Sequence, residues 1–202
     1  MKSLRMYPTS LNDRYIDEAV RALEAGEVII YPTDSVYALG CDATDNGAIE
    51  KLCRLKGIEI DPRKQTLSIV CSDLSMASEY ARIDNEAYRI LKRNLPGPFT
   101  FILPVSPRLP RIFKGRKTVG IRITDSPIAT AIVERLGRPI LSTSVRHDDD
   151  DPREPQEIAL IYEGAASLLV DGGEVPGVET AVVDITDSRN PVLLREGARE
   201  LL

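Results

Sequence analysis

The chain has 202 residues, 43% hydrophobic and 28% charged, enough for one sizeable core under a wet surface. No apolar run approaches the roughly 20 residues that span a bilayer, and the opening MKSLRMYPTS lacks an apolar leader stretch, so a cytoplasmic protein with no membrane partner is expected. A net charge of −5 argues against indiscriminate polyanion binding, and three scattered cysteines with a single histidine, His147, argue against a zinc site or a Ser/His/Asp triad.

Residues Asp13–Ala25 place Ile16, Ala19, Val20 and Leu23 on one helical face, with Gly26 as the stop. Strands are predicted at Val28–Tyr31 and Val36–Cys41, either side of the turn PTDS. Asp45 can cap a helix running to Lys56, with Ile49, Leu52 and Cys53 inward and Gly57 ending it. Thr66–Cys71 reads as a strand. Leu74–Tyr80 and Asn85–Asn94 read as helices, the second broken by PGP at 96–98. Strands Phe99–Val105 and Thr118–Ile123 flank a basic loop, and Pro127–Leu136 is a helix with proline in its first turn. Ile140–Ser144 is a strand and Pro155–Tyr162 a helix. Ser167–Val170, Ala181–Ile185 and Val192–Leu194 close the chain as strands. About nine strands interleaved with five or six helices make a layered α/β fold with a mixed sheet. The Pro- and Asp-rich stretch 148–155 is too short to divide two domains, which leaves residues 1–202 as one.

Polar residues recur where these strands end. PTDS (32–35) sets Thr33, Asp34 and Ser35 at the mouth of an apolar strand, and ILSTS (140–144) ends in Ser142, Thr143 and Ser144. Thr180 opens the strand in VETAVVD, Thr118 and Arg122 bound TVGIR, and LLREG ends a strand in Arg195. Ligands of open α/β sheets bind at strand ends. Hydroxyls both donate and accept in little volume, and Arg and Lys hold carboxylate or phosphate. Local chemistry also accounts for each residue alone: turn satisfaction at Thr33 and Ser35, strand propensity in STS, ion pairing at Arg122 and Arg195, the helix dipole at Lys56. Their joint recurrence favours a site for a small anionic ligand. The run RLPRIFKGRK (108–117) adds Arg108, Arg111, Lys114, Arg116 and Lys117 without an acid, as a solvated loop or as a phosphate-facing rim.

The segments YPTDSVYALGCD (31–42), LCRLKG (52–57), PGPFTFIL (96–103), KTVGIRI (117–123), LSTS (141–144), TAVVDIT (180–186) and VLLREG (192–197) together resemble the YrdC-like family, the threonylcarbamoyl-adenylate synthases that act in tRNA modification. The REG ending resembles its YciO branch in particular. The matches keep family order and cover nearly the whole chain. This resemblance implies a twisted, mixed, largely antiparallel sheet flanked by helices around a deep basic cavity. It also implies that L-threonine, bicarbonate and ATP, with Mg²⁺ on the nucleotide, give threonylcarbamoyl-AMP and pyrophosphate.

Carried over by position, Thr33 contacts the amino acid and Arg122 its carboxylate, Ser142 and Thr143 line the threonine pocket, and Thr180 hydrogen-bonds there. Lys56 meets the ATP phosphates, while Thr118, Ser144 and Arg195 hold nucleotide. Two signature groups of the family are changed: Ile58 stands where Lys-x-Arg has its arginine, and Arg146 where Ser-x-Asn has its asparagine. Arg63, Lys64 or Arg146 are candidates to restore the charge, and Ala181 replaces a common second hydroxyl. These changes bear on how much synthase activity remains. One alternative is a protein that binds double-stranded RNA, tRNA or ribosomal RNA through residues 108–117 without catalysis. Another is an adenylate-forming enzyme for a different amino acid.

Overall fold

Side-chain caps start the helices where the sequence offers Asn, Asp or Ser. Asn12 accepts from the Tyr15 N–H to begin α1 (Asp13–Glu24), and Asp45 accepts from Gly47 and Ala48 to begin α2 (Asn46–Lys56). Asp73 and Asp84 begin α3 (Leu74–Tyr80) and α4 (Asn85–Asn94), and Ser126 begins α5 (Pro127–Leu136). Gly57 and Gly137 end α2 and α5 in the left-handed region, at φ 67° and 70°, where a side chain would be strained. The last helix is α6 (Pro155–Ile161). No described helix is long and apolar enough to cross a membrane.

This computed structural model describes residues 1–58, 67–109, 115–145 and 154–202. Its strands are β1 (Lys2–Arg5), β2 (Ile29–Tyr31), β3 (Ala38–Asp42), β4 (Ser68–Val70), β5 (Phe99–Pro104), β6 (Thr118–Arg122), β7 (Ile140–Ser144), β8 (Leu168–Asp171), β9 (Ala181–Asp184) and β10 (Val192–Arg195). All lie in one sheet ordered β1-β8-β2-β3-β7-β4-β6-β5-β9-β10. The sheet is mixed: five of the described pairings are antiparallel and four parallel. β1 was not expected from the sequence. Its KSLR buries Leu4 alone, so it carries no apolar run and gains its place by pairing in parallel with β8.

Alternation along the strands divides the core in two. Ile29 and Tyr31 face one cluster, with Ile16, Ala19, Val20 and Leu23 of α1 and Ile128, Ile132 and Val133 of α5. Val28 and Ile30 face the other, with Ile49 and Leu52 of α2, Leu91 of α4 and Ile158 of α6. The second cluster runs under most of the sheet and takes in Phe99, Phe101, Ile121 and Val183. The first stops short: among the described residues, nothing from β5, β6 or β9 belongs to it. That half of the sheet is roofed on one face, and on the other no described helix contributes to a core cluster over it.

Candidate functional site

The face of β7, β4, β6, β5 and β9 beyond the reach of α1 and α5 is the floor of a cavity of about 410 Å³. Ser142, Ser68, Gly120 and Ile102 stand directly opposite one another on four successive strands and form a row across it. Arg122 lies two residues beyond Gly120 on the same face, and Thr100 pairs across to Val182. The apolar residues between them, Phe99, Phe101, Val119, Ile121 and Leu141, point to the opposite side and are buried.

Most of the candidate residues meet here. Lys56, Arg122, Ser142, Thr143, Ser144, Thr180 and Arg195 all line the cavity. Thr33 and Thr118 are not brought to its wall. Thr33 is buried behind it, donating from Oγ1 to the Val36 carbonyl at 2.7 Å and accepting from the Ser35 N–H at 3.2 Å. Its local turn chemistry prevails, and Ser35 takes the wall position. Thr118 starts the right face of β6 but pairs with Pro104 at the far end of the strand. Arg63, Lys64 and Arg146 lie outside the described residues, as do Arg111, Lys114 and His147. Of the remaining loop cations, Arg108 is paired with Glu79, and the Arg116 Nε is buried. Lys117 lends its carbonyl to the Val105 N–H.

Ser35, expected at the mouth of its strand, does line the cavity, and Ser68, Thr100 and Glu179 line it without having been singled out. The signal was present for Thr100 and Ser68: each is a hydroxyl alternating with buried apolar residues, in FTFIL and LSIV. Ile58 also lines the wall, at the position where the family signature carries arginine.

Of the three cations on the wall, Arg122 is the most deeply buried. Its Nη2 reaches Asp34 Oδ1 at 3.0 Å and Ser35 Oγ at 3.1 Å, and both partners of the ion pair have side chains only 9% exposed. The other Asp34 oxygen accepts from the Asp125 N–H at 2.9 Å, which fixes the carboxylate. The Arg122 Nε is buried with no hydrogen-bond partner, so an acceptor on a ligand would relieve a real cost. Ser142 is aimed by Tyr31, whose hydroxyl donates to its Oγ at 2.8 Å. The Tyr31 ring lies over Gly40, where an added Cβ would come within 2.6 Å of it. Burial pushes the Tyr31 hydroxyl up to about 12, so it stays a donor at neutral pH.

Arg195 reaches the cavity through a β-bulge. Leu193 faces Val183, a core residue, while Arg195 faces Val182, which lines the cavity; the extra residue between them turns the arginine to the other side of the sheet. There its Nε and Nη2 donate to the Thr180 carbonyl at 3.1 and 3.0 Å, and Nη1 meets Glu179 Oε2 at 2.7 Å. Thr180 Oγ1 also shares a 2.9 Å hydrogen bond with Thr100 Oγ1. The three cysteines are buried, and burial raises their thiol pKa values, so they are packing residues rather than nucleophiles.

The chain that builds this wall of hydroxyls and three cations matches a known family. A model named Sua5_yciO_yrdC and described as "Telomere recombination" matches residues 21–197. The chain belongs to the Sua5/YciO/YrdC family. It is 40% identical over 200 residues to YciO of Escherichia coli K12, described as an uncharacterized protein, covering 97% of this chain and 95% of that one. The crystal structure of E. coli YciO superposes with a TM-score of 0.91 over 99% of this chain and 98% of its own, at 38% identity. The threonylcarbamoyl-AMP synthase of Bacillus subtilis strain 168 is 34% identical over 193 residues, 93% of this chain and 55% of the synthase. Sua5 of Pyrococcus abyssi, solved in complex with L-threonine, superposes with a TM-score of 0.86 at 32% identity, over 97% of this chain and 57% of its own. The chain thus spans a little over half the length of these last two proteins and nearly all of YciO.

Proposed function

We propose that the cavity binds an amino acid and ATP and joins them, with bicarbonate, into threonylcarbamoyl-AMP for tRNA modification. The observation that carries this reading is the buried Arg122 Nε, without a partner, in a wall shared with Ser142, Thr143, Ser144 and Lys56. Arg122 takes the carboxylate of L-threonine, and Ser142 and Thr143 take its polar atoms. The names of the Bacillus subtilis synthase and of the threonine complex of Pyrococcus abyssi Sua5 support L-threonine as the amino acid and threonylcarbamoyl-AMP as the product.

The chemistry suits these residues. Bicarbonate takes up a proton and loses water to give CO₂. The threonine amine adds to its carbon and releases a proton to form a carbamate, and the carbamate oxygen attacks the α-phosphorus of ATP as pyrophosphate leaves. No protein nucleophile is needed; the protein aligns the reactants and balances charge, with Lys56 and Ser144 at the phosphates. Among the described residues, no three His, Cys, Asp or Glu side chains gather to hold a metal ion. Mg²⁺ in this reading enters on the nucleotide, held by phosphate oxygens and water.

Incubation of the full chain with L-threonine, bicarbonate and Mg-ATP is expected to release pyrophosphate, and Arg122→Ala to reduce that release at least tenfold. If the wild type releases none and calorimetry detects no ATP binding, the reading is lost. Replacing threonine by other amino acids in the same assay tests whether Ile58 on the wall has changed the preferred acid. Double-stranded RNA binding has less behind it, since Arg108 is already neutralised by Glu79. That alternative requires binding that weakens steeply with salt.

A further inference from the structure

The two sides of the cavity differ in a way the fold alone does not require. On the β7 side stand Ser142, Thr143 and Ser144, and Lys56 lines the cavity from the end of α2, which packs on β3, the neighbour of β7. On the β9–β10 side stands Arg195, and all three of its nitrogens are engaged by the protein: two by Thr180 and the third by the Glu179 carboxylate at 2.7 Å. Three strands separate β9 from β7, which puts the two sides roughly 19 Å apart along the sheet. Glu179 itself lines the cavity and its side chain is only 29% exposed, so its charge faces whatever binds there.

We propose that Glu179 determines specificity by keeping phosphate groups off Arg195, so that the β9–β10 side admits a hydrogen-bond-donating group, such as the hydroxyls of a nucleoside, and the anionic part of the ligand lies on the Lys56–Ser144 side. The inference rests on the cavity being the ligand site. A phosphate approaching Arg195 meets a fork whose three nitrogens are each already engaged, and a carboxylate of its own sign beside it. A hydroxyl meets an acceptor whose orientation the arginine has fixed.

The test uses the full chain and inorganic pyrophosphate, measured by calorimetry. Glu179→Gln is expected to bind pyrophosphate about tenfold more tightly than the wild type, because the competing charge is gone while a similar shape remains. Glu179→Ala should shift binding the same way, and adding Arg195→Ala to Glu179→Gln should remove the gain. Equal or weaker binding by both Glu179 variants overturns the proposal. So does a gain that survives loss of Arg195. A wild type that makes no pyrophosphate from ATP would strike the synthase reading and leave this result standing.

Discussion

Arg122 shows what a single charged residue needs in order to sit in a wall. Its guanidinium is almost out of water and is balanced by one carboxylate, Asp34, 88 positions away in sequence. Asp34→Asn keeps the shape and removes the charge, leaving a buried cation without its counter-ion. The expected loss is about 3–5 kcal/mol of unfolding free energy, read from the urea midpoint at unchanged slope. A loss under about 1 kcal/mol would mean the pair behaves like a solvated surface bridge. The residue types of this pair are legible in PTDS and TVGIR, but their partnership is not. Thr33 makes the opposite lesson: its hydroxyl looks available in sequence and is spent inside its own turn.

At the scale of the strand, the cavity exists because alternation puts small and polar residues on one face and large apolar ones on the other. Gly120 is the middle of that floor, between Ser68 and Ile102. Gly120→Val suits a strand and should change stability by no more than about 1 kcal/mol. It should also reduce ligand binding at least tenfold by filling the space over β6. A variant that binds ATP and threonine as before would show that the ligand does not rest on this face. The alternation is written in FTFIL, TVGIR and LSTS, so much of the floor was legible as a set of two-sided strands. The expectation that polar residues mark strand ends was narrower than the arrangement found, where Thr100, Ser68 and Ser142 lie along the face. The side that Arg195 takes was not legible at all. A two-residue period places it with Leu193, on the side of Val183, and the bulge reverses this.

For the molecule as a whole, two apolar clusters hold one sheet, and buried tyrosines are built into both. Tyr31 belongs to the cluster under α1 and α5, while Tyr162 belongs to the other and donates to the Val145 carbonyl at 2.7 Å. Burial pushes both hydroxyls up to about 12, and it raises that of Tyr37 as well. In the unfolded chain these groups titrate near pH 10. The folded state therefore keeps protons that the unfolded state gives up, and this contribution is fully present below about pH 10 and is lost as pH rises toward 12. Thermal midpoints should be flat on this account up to about pH 10 and then fall, with a shallower fall in Tyr31→Phe. Midpoints that stay level to pH 12 would mean that these hydroxyls are open to water.

The amino-acid sequence alone determined the helices, their caps and stops, the alternation of most strands, and an inventory of hydroxyls and cations suited to an anionic ligand. These are decided within a few residues, by propensity, side-chain capping and period. Tertiary structure decided which strands become neighbours, that α1 and α5 cover only part of one sheet face, that Ser35 rather than Thr33 reaches the wall, and that Arg195 turns toward Glu179. Each of these depends on burial shared between segments far apart in the chain, and no local window of residues carries that information.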